Sequence, residues 1–439
     1  MVVALRIRGG TVVTLDASRR VVVADVYVDK GRIVAIDGPE QPARRSLDAT
    51  GMVVIPGMHD LHDHLRDLTP GLRLSGGQRL DDLLRAYWRL SESAGPDEYR
   101  IGAALAGARL LKAGVTSVVD HLYPFHRPGL AAAAVQGYTA TGIRWFMARG
   151  IMTRPYRPIC EPSRQAFREI RDLIDDLVPR ERLLVAPVSF RQAPVSVYRE
   201  ARRLADRYGL RLYTHVAETA QEVADTRAQY GMRPVELLHH LGFTGSDALL
   251  VHCVYLSARE IRSLGRAGTH IVHCPSNHMM LAKGVTPVPA LLEAGANVGL
   301  GVDMMGDLFE ETRQEVLLQG LHASDPGAVT PETALGMATW RGAAALGMYD
   351  LGRLEVGAVA DLVCIDVSAA HLQPILDPVW TVVHRVHGHD VAHVVVDGQV
   401  VVRSGRLVNV DERALVDEAK EIAARYLRRA GETKQEVMA

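Results

Sequence analysis

Between Val53 and Val302 the chain repeats one pattern eight times: a short apolar run, then a longer stretch that is helical where its periodicity is clear. The apolar runs are Val53–Pro56, Val115–Val119, Ile143–Ala148, Leu183–Pro187, Leu210–Val216, Ala248–Tyr255, Thr269–His273 and Asn297–Val302. Each is nearly continuous rather than alternating, as parallel strands buried on both faces require. Helical segments include Leu80–Ser91, Glu98–Ala113, Ser163–Leu177, Val195–Tyr208, Gln221–Tyr230, Ala258–Ala267 and Thr312–Leu321. Eight strand–helix units predict an α/β fold, a (β/α)8 TIM barrel, over residues 57–346. A doubly wound sheet is the competing arrangement, but no GxGxxG follows an early strand.

Both flanks are β-rich. Leu5–Leu15, Val21–Asp29 and Arg32–Ile36 read as a meander with turns at Gly9-Gly10 and Lys30-Gly31. On the far side, Ala360–Asp366 precedes a hairpin of Val394–Asp397 and Gln399–Arg403 about Gly398. So small a meander cannot bury a core by itself. Residues 1–56 and 347–439 are therefore expected to form one composite β-sandwich, with a terminal helix over Arg413–Arg429 and a frayed tail after Gly431.

Composition narrows the function classes. A net charge of −1 gives no electrostatic case for nucleic acid or a membrane surface. No run approaches the ~20 apolar residues of a membrane span, and the first apolar run is too short for a signal peptide. The four cysteines, Cys160, Cys253, Cys274 and Cys364, make no disulfide scaffold, so a cytoplasmic location is expected.

Chemistry concentrates at the predicted strand ends, where a barrel keeps its active site. In the extended stretch Pro56-Gly57-Met58-His59-Asp60-Leu61-His62-Asp63-His64, residues two apart share a face, so His62 and His64 project together and Asp63 points away. An isolated HxH pair is usually an ordinary loop feature. Here four more strand ends carry Thr214-His215-Val216-Ala217-Glu218, Val251-His252-Cys253, Val272-His273-Cys274 and Gly301-Val302-Asp303. His62, His64, His215 and Asp303 suit a zinc-like divalent ion. His252 could hydrogen-bond a developing oxyanion. His59, Asp60 and Asp63 read as surroundings, and the roles of His121, His126, His273 and His278 stay open. Cys253 and Cys274 read as small buried residues.

The motifs PGMHDLHDH, THVAET, LVHCVYL, HCPSNHMMLA, GLGVD with DLFEETR, ATWRGAAALGM, LEVGAVADLVCID and HLQPILDPVW with VVVDGQVVV span nearly the whole chain. Together they resemble the amidohydrolase superfamily, in its cytosine/guanine deaminase and s-triazine hydrolase branch. The resemblance implies a metal-dependent barrel with a sandwich built from both termini. It implies hydrolytic deamination of an amino-substituted heterocycle (a purine, pterin, pyrimidine or triazine), with Glu218, His252 and Asp303 catalytic and Glu218 carrying a proton to the ring nitrogen. One divalent metal is expected, Zn2+ before Fe2+ or Mn2+, because no lysine ends the fourth strand, Val185-Ala186-Pro187-Val188, to bridge two ions. Dechlorination or cyclic-amide hydrolysis at the same site is the alternative, and a non-catalytic scaffold a more distant one. A homo-oligomer is implied.

The chain departs from the branch in places. Val188 stands where adenosine-type relatives usually carry a substrate-contacting histidine, which counts against S-adenosylhomocysteine or methylthioadenosine as substrate. Asn277-His278-Met279 and the short Met304-Met305-Gly306-Asp307 segment imply an unusual pocket. Arg149, after the third strand, matches a position that often meets substrate, and is a candidate substrate-binding residue with Glu218 and His252.

Overall fold

The computed structural model describes residues 2–65, 68, 79–304 and 306–431, so the tail after Gly431 and Met305 lie outside the described residues. Eight parallel strands pair in sequence order: Met58–Asp63, Val115–Leu122, Arg144–Ile151, Leu183–Pro187, Arg211–Val216, Ala248–His252, His270–His273 and Asn297–Leu300. The first and eighth meet at their ends. The Asp303 amide donates to the His62 carbonyl at 2.8 Å, and the Val302 amide to Asp60 Oδ1 at 3.0 Å. Gly301 makes this approach feasible, since a Cβ there would lie 2.6 Å from the His62 Cβ. The result is the predicted barrel, filled by Leu61, Val119, Phe146, Leu184, Tyr213, Leu249, Val251 and Val272.

Local sequence explains the helices that surround it. Ala258–Ala267 begins in a capping box: Ser257 accepts from the Glu260 amide while Glu260 accepts from the Ser257 amide at 2.8 Å. The helix expected from Thr312 starts earlier, at Leu308, because Asp307 caps it by accepting the Glu310 amide at 3.0 Å. Leu130–Thr141 was not expected. It is alanine-rich and lacks an amphipathic stripe, since it packs against Pro96–Lys112 so closely that Gly137 meets the Arg100 carbonyl.

Val53–Pro56, read above as the first barrel strand, belongs instead to a second sheet as Met52–Pro56. Gly57 separates the two, where a Cβ would lie 2.3 Å from Thr116 Oγ1. The second sheet has nine strands. Its main path runs Arg406–Leu407, Gln399–Arg403, Val391–Val396, Leu362–Asp366, Met52–Pro56, Val3–Val13, Val21–Asp29, Arg32–Ile36, and Ala43–Asp48 adds to Val3–Val13. N- and C-terminal segments join where Met52–Pro56 and Leu362–Asp366 pair antiparallel. Ile7, Val26, Val54, Leu362 and Val395 form its own core. The C-terminal helix Glu412–Arg429 lays Leu415, Ala419 and Ile422 on Ile101, Ala104 and Ala108 of a barrel helix. Among the described residues no helix is long and apolar enough to cross a membrane.

Candidate active site

Strand ends one, five and eight deliver His62, His64, His215 and Asp303 to one buried neighbourhood, where His62, His64 and His215 form one cluster able to hold an ion and His62, His252 and Asp303 another. The Nδ1 atom of each imidazole in the first cluster is already engaged behind it. His64 Nδ1 donates to the His121 carbonyl at 2.8 Å, and His215 Nδ1 to the Val188 carbonyl at 2.9 Å. His62 Nδ1 lies 2.7 Å from the Tyr213 hydroxyl, whose own proton goes to the Leu61 carbonyl. All three rings therefore carry hydrogen on Nδ1 and turn a bare Nε2 inward. His62 and His215 bring these lone pairs within 3.2 Å, and His62 and His64 set theirs 3.3 and 3.6 Å from Asp303 Oδ1. Lone pairs so disposed repel unless a cation lies between them. Imidazole nitrogens together with a carboxylate oxygen are a donor set that fits a divalent metal. Burial above all holds His215 well below the usual imidazole range, in the neutral state a ligand needs. Burial pushes the Asp303 carboxyl up, but its surroundings, the Lys283 ammonium among them, outweigh burial and hold the group below the usual carboxylate range.

Backbone strain aims the neighbours. Ala217, His252, Cys253, Asp303 and Met304 all have positive φ, between 46° and 77°. His252, thus turned, sets Nε2 3.3 Å from Glu218 Oε1 and 3.9 Å from Asp303 Oδ2. Glu218 sits beneath two of its neighbour's bonds: Glu222 accepts the Ala217 and Glu218 amides at 3.2 and 2.9 Å. An open cleft lies above. Leu80, Leu83, Leu84, Tyr87, Tyr123 and Leu281 form its apolar wall, while His64, His215, Glu218, His252, Lys283 and Asp303 line its polar floor.

A profile of the amidohydrolase family matches residues 53–401. The chain belongs to the amidohydrolase family. Over 95% of its length this amidohydrolase is 32% identical to the 5'-deoxyadenosine deaminase of Methanopyrus kandleri, covering 98% of that protein. It is 34% identical to the 5-methylthioadenosine/S-adenosylhomocysteine deaminase of Haloarcula marismortui, over 98% of this chain and 99% of the relative. Among solved structures, an adenosine deaminase from Xanthomonas campestris with bound zinc superposes with TM-score 0.90 at 29% identity, covering 97% and 98% of the two chains. Atrazine chlorohydrolase TrzN from Arthrobacter aurescens TC1, complexed with zinc, gives 0.87 at 27% identity over 95% of this chain and 99% of the other.

Not every residue singled out in the sequence reaches the cleft. Arg149 is the clear correction. It is wholly buried, paired with Glu161 and Glu169, and stacked 4.0 Å over the Phe125 ring. It braces the third strand and lines no part of the described cleft. His59 is buried beside Gly342, and burial, with Arg144, holds its pKa near about 3. Asp60 ties the barrel ends together, and Asp63 turns away to Arg109 at 3.0 Å and to the His64 and Met304 amides. His121 lies behind His215, ring centroids 4.5 Å apart and planes tilted by 33°, and Cys253 and Cys274 are buried.

Lys283 is the functional residue that sequence reading missed. It is buried, with Nζ 2.6 Å from Glu218 Oε1, 2.5 Å from Asn277 Oδ1 and 4.0 Å from Asp303 Oδ2. Its one sequence signal is a lysine closing the Met279-Met280-Leu281-Ala282 stretch just before Gly284. Arg191, 3.8 Å from Glu218 Oε2, is a second cation at the cleft.

Proposed function

We propose that this amidohydrolase hydrolytically deaminates an amino-substituted N-heterocycle, with adenosine-type nucleosides as first substrates and zinc as its metal. The observation that carries the reading is a single juxtaposition: three Nδ1-anchored imidazoles and Asp303 converge next to Glu218, an unsubstituted carboxylate at the cleft floor. An ion held by His62, His64, His215 and Asp303 would supply a polarised water. Water adds to the ring carbon bearing the amino group. Glu218 moves the water's proton to the adjacent ring nitrogen, whose lone pair bonds it while the ring double bond opens. His252 donates to the incoming oxygen. Collapse of the tetrahedral carbon forms a ring carbonyl and breaks the bond to the amine, which leaves as ammonia with the hydroxyl proton passed to it through Asp303, while the ring nitrogen keeps the proton it gained from Glu218.

The nucleoside assignment rests on the two deaminase relatives, each covering at least 95% of this chain. Val188, read from sequence as an argument against such substrates, packs among Trp88, Tyr123, Met152 and Ile159 beneath the cleft. A side chain outside the lining contributes little to selecting a ligand. The same reading makes the enzyme cytoplasmic, consistent with four unpaired cysteines, and a homo-oligomer, which sedimentation would measure. A chlorotriazine tested beside the amines checks the dechlorinating alternative, which the likeness to TrzN keeps in view.

The test is ammonia release from zinc-loaded protein across adenosine-type nucleosides, free aminopurines, pterins, aminopyrimidines and aminotriazines. Glu218→Gln should retain its metal and lose about 10²- to 10⁴-fold in kcat. Full turnover in that variant would remove Glu218 from the reaction.

A further inference from the structure

Behind His252 lies a buried row of residues that the reaction above does not use. His252 Nδ1 is 3.0 Å from His278 Nε2. The His278 ring lies 4.9 Å from that of His273, and His273 Nδ1 meets Glu315 Oε2 at 2.5 Å. His252, His278, His273 and Glu315 are all at most 1% exposed. His278 Nδ1 and His273 Nε2 have no partner among the described residues.

Hydrogen counting fixes the protons. A neutral imidazole carries one N–H. His252 Nε2 faces two carboxylates, Glu218 and Asp303, which only accept. Hydrogen therefore belongs on His252 Nε2, and its Nδ1 must accept. The group offered to it is His278 Nε2, which must donate. His278 Nδ1 is then a bare lone pair, in agreement with its lack of a partner. The opposite assignment puts a lone pair against Glu218 and strands a buried N–H at His278 Nδ1, which costs about 1–3 kcal/mol for the unpaired group. His273 donates to Glu315 through Nδ1, which leaves Nε2 bare as well.

We propose that His278, itself braced by His273 and Glu315, is a positioning residue that fixes His252 as an Nε2–H donor aimed at the reacting oxygen. His252 then polarises and never acts as base, so proton traffic falls to Glu218. The proposal rests on the deaminase reading of the site, although its proton assignment does not require any particular substrate.

Three zinc-loaded proteins test it: wild type, His278→Leu and His278→Gln. Glutamine places a donor nitrogen where the histidine Nε2 lies, whereas leucine only fills space. His278→Leu should keep its metal content and KM and lose about 10- to 100-fold in kcat. His278→Gln should recover most of that loss. Wild-type kcat in the leucine variant, or equal losses in both variants, would overturn the proposal. Heteronuclear NMR of imidazole nitrogens in zinc-loaded wild type reads the proton directly, whether or not the variants fold. Hydrogen on His252 Nε2 supports the assignment, and hydrogen on Nδ1 overturns it. Absence of deaminase activity on every substrate would instead remove the function and leave the NMR result standing.

Discussion

Lys283 and Glu222 bracket the Glu218 carboxylate, and their environments make opposite demands. Lys283 compensates Glu218 at 2.6 Å in a site where both groups are nearly buried. Removing one partner of a buried pair leaves the other charge uncompensated. Lys283→Met should therefore lower kcat by about 10- to 100-fold with metal retained, measured as ammonia release and metal content on the same sample. Glu222 behaves differently. Burial pushes its carboxyl up to about 7, with Glu218 adding to the shift and Arg191 opposing it. A carboxyl raised above its unfolded value holds its proton better in the folded state. Its contribution is thus complete below about 4.5 and is lost as pH rises through about 7, a decline of order 1–3 kcal/mol. Unfolding free energy measured against pH should fall across that window in wild type and flatten in Glu222→Gln. An unchanged slope would show that Glu222 titrates normally.

Between elements, the decisive contact is that of the first and eighth barrel strands. Two of the four candidate ligands, His62 and Asp303, hang on it, and the 2.8 Å bond from the Asp303 amide to the His62 carbonyl sets their spacing. Gly301 faces the His62 backbone, where a Cβ would lie 2.6 Å from the His62 Cβ and 3.0 Å from its nitrogen. Neither atom can rotate away. Gly301→Ala should push the strands apart, costing about 1–3 kcal/mol in stability and weakening zinc more than tenfold in a competition titration with a chelating dye. Zinc affinity equal to wild type would mean that the strand ends yield without moving the ligands.

At the scale of the whole molecule, one buried cation clamps the barrel to the nine-stranded sheet. Arg144, on the third barrel strand, pairs with Asp361 at the start of Leu362–Asp366 and with Asp397 in the hairpin beyond. Its second nitrogen holds Asp361 Oδ1 at 3.0 Å, and the Asp361 backbone carbonyl accepts the Gly57 amide at 3.0 Å, where one sheet gives way to the other. Arg144→Ala leaves Asp361 buried without its counter-charge. It should lower unfolding free energy by about 3–5 kcal/mol in denaturant titration, with the loss shared by both sheets. A change under about 1 kcal/mol would show that the clamp is dispensable.

The chain's local chemistry determined its repeat and its chemistry-bearing ends. Buried parallel strands must be apolar throughout, and ligands must follow them where the barrel opens, so His62, His64, His215 and Asp303 stood out in the sequence. The capping box of Ser257 with Glu260, found in the structure, is equally local, a pattern four residues long. Pairings between distant residues did not stand out. Lys283 meets Glu218, His278 meets His252, and Arg144 meets Asp361, partners 65, 26 and 217 residues apart. Which side chains share a closed floor depends on how eight strands tilt and close, and no local window carries that information. Arg149 shows the same limit from the other side: its match to a position that often meets substrate in the resembled branch suggested a ligand contact, but it is buried in ion pairs with Glu161 and Glu169. Val53–Pro56 failed for a related reason, because an apolar run buried in a mixed sheet and one buried in a barrel are the same run until Gly57 assigns each its sheet.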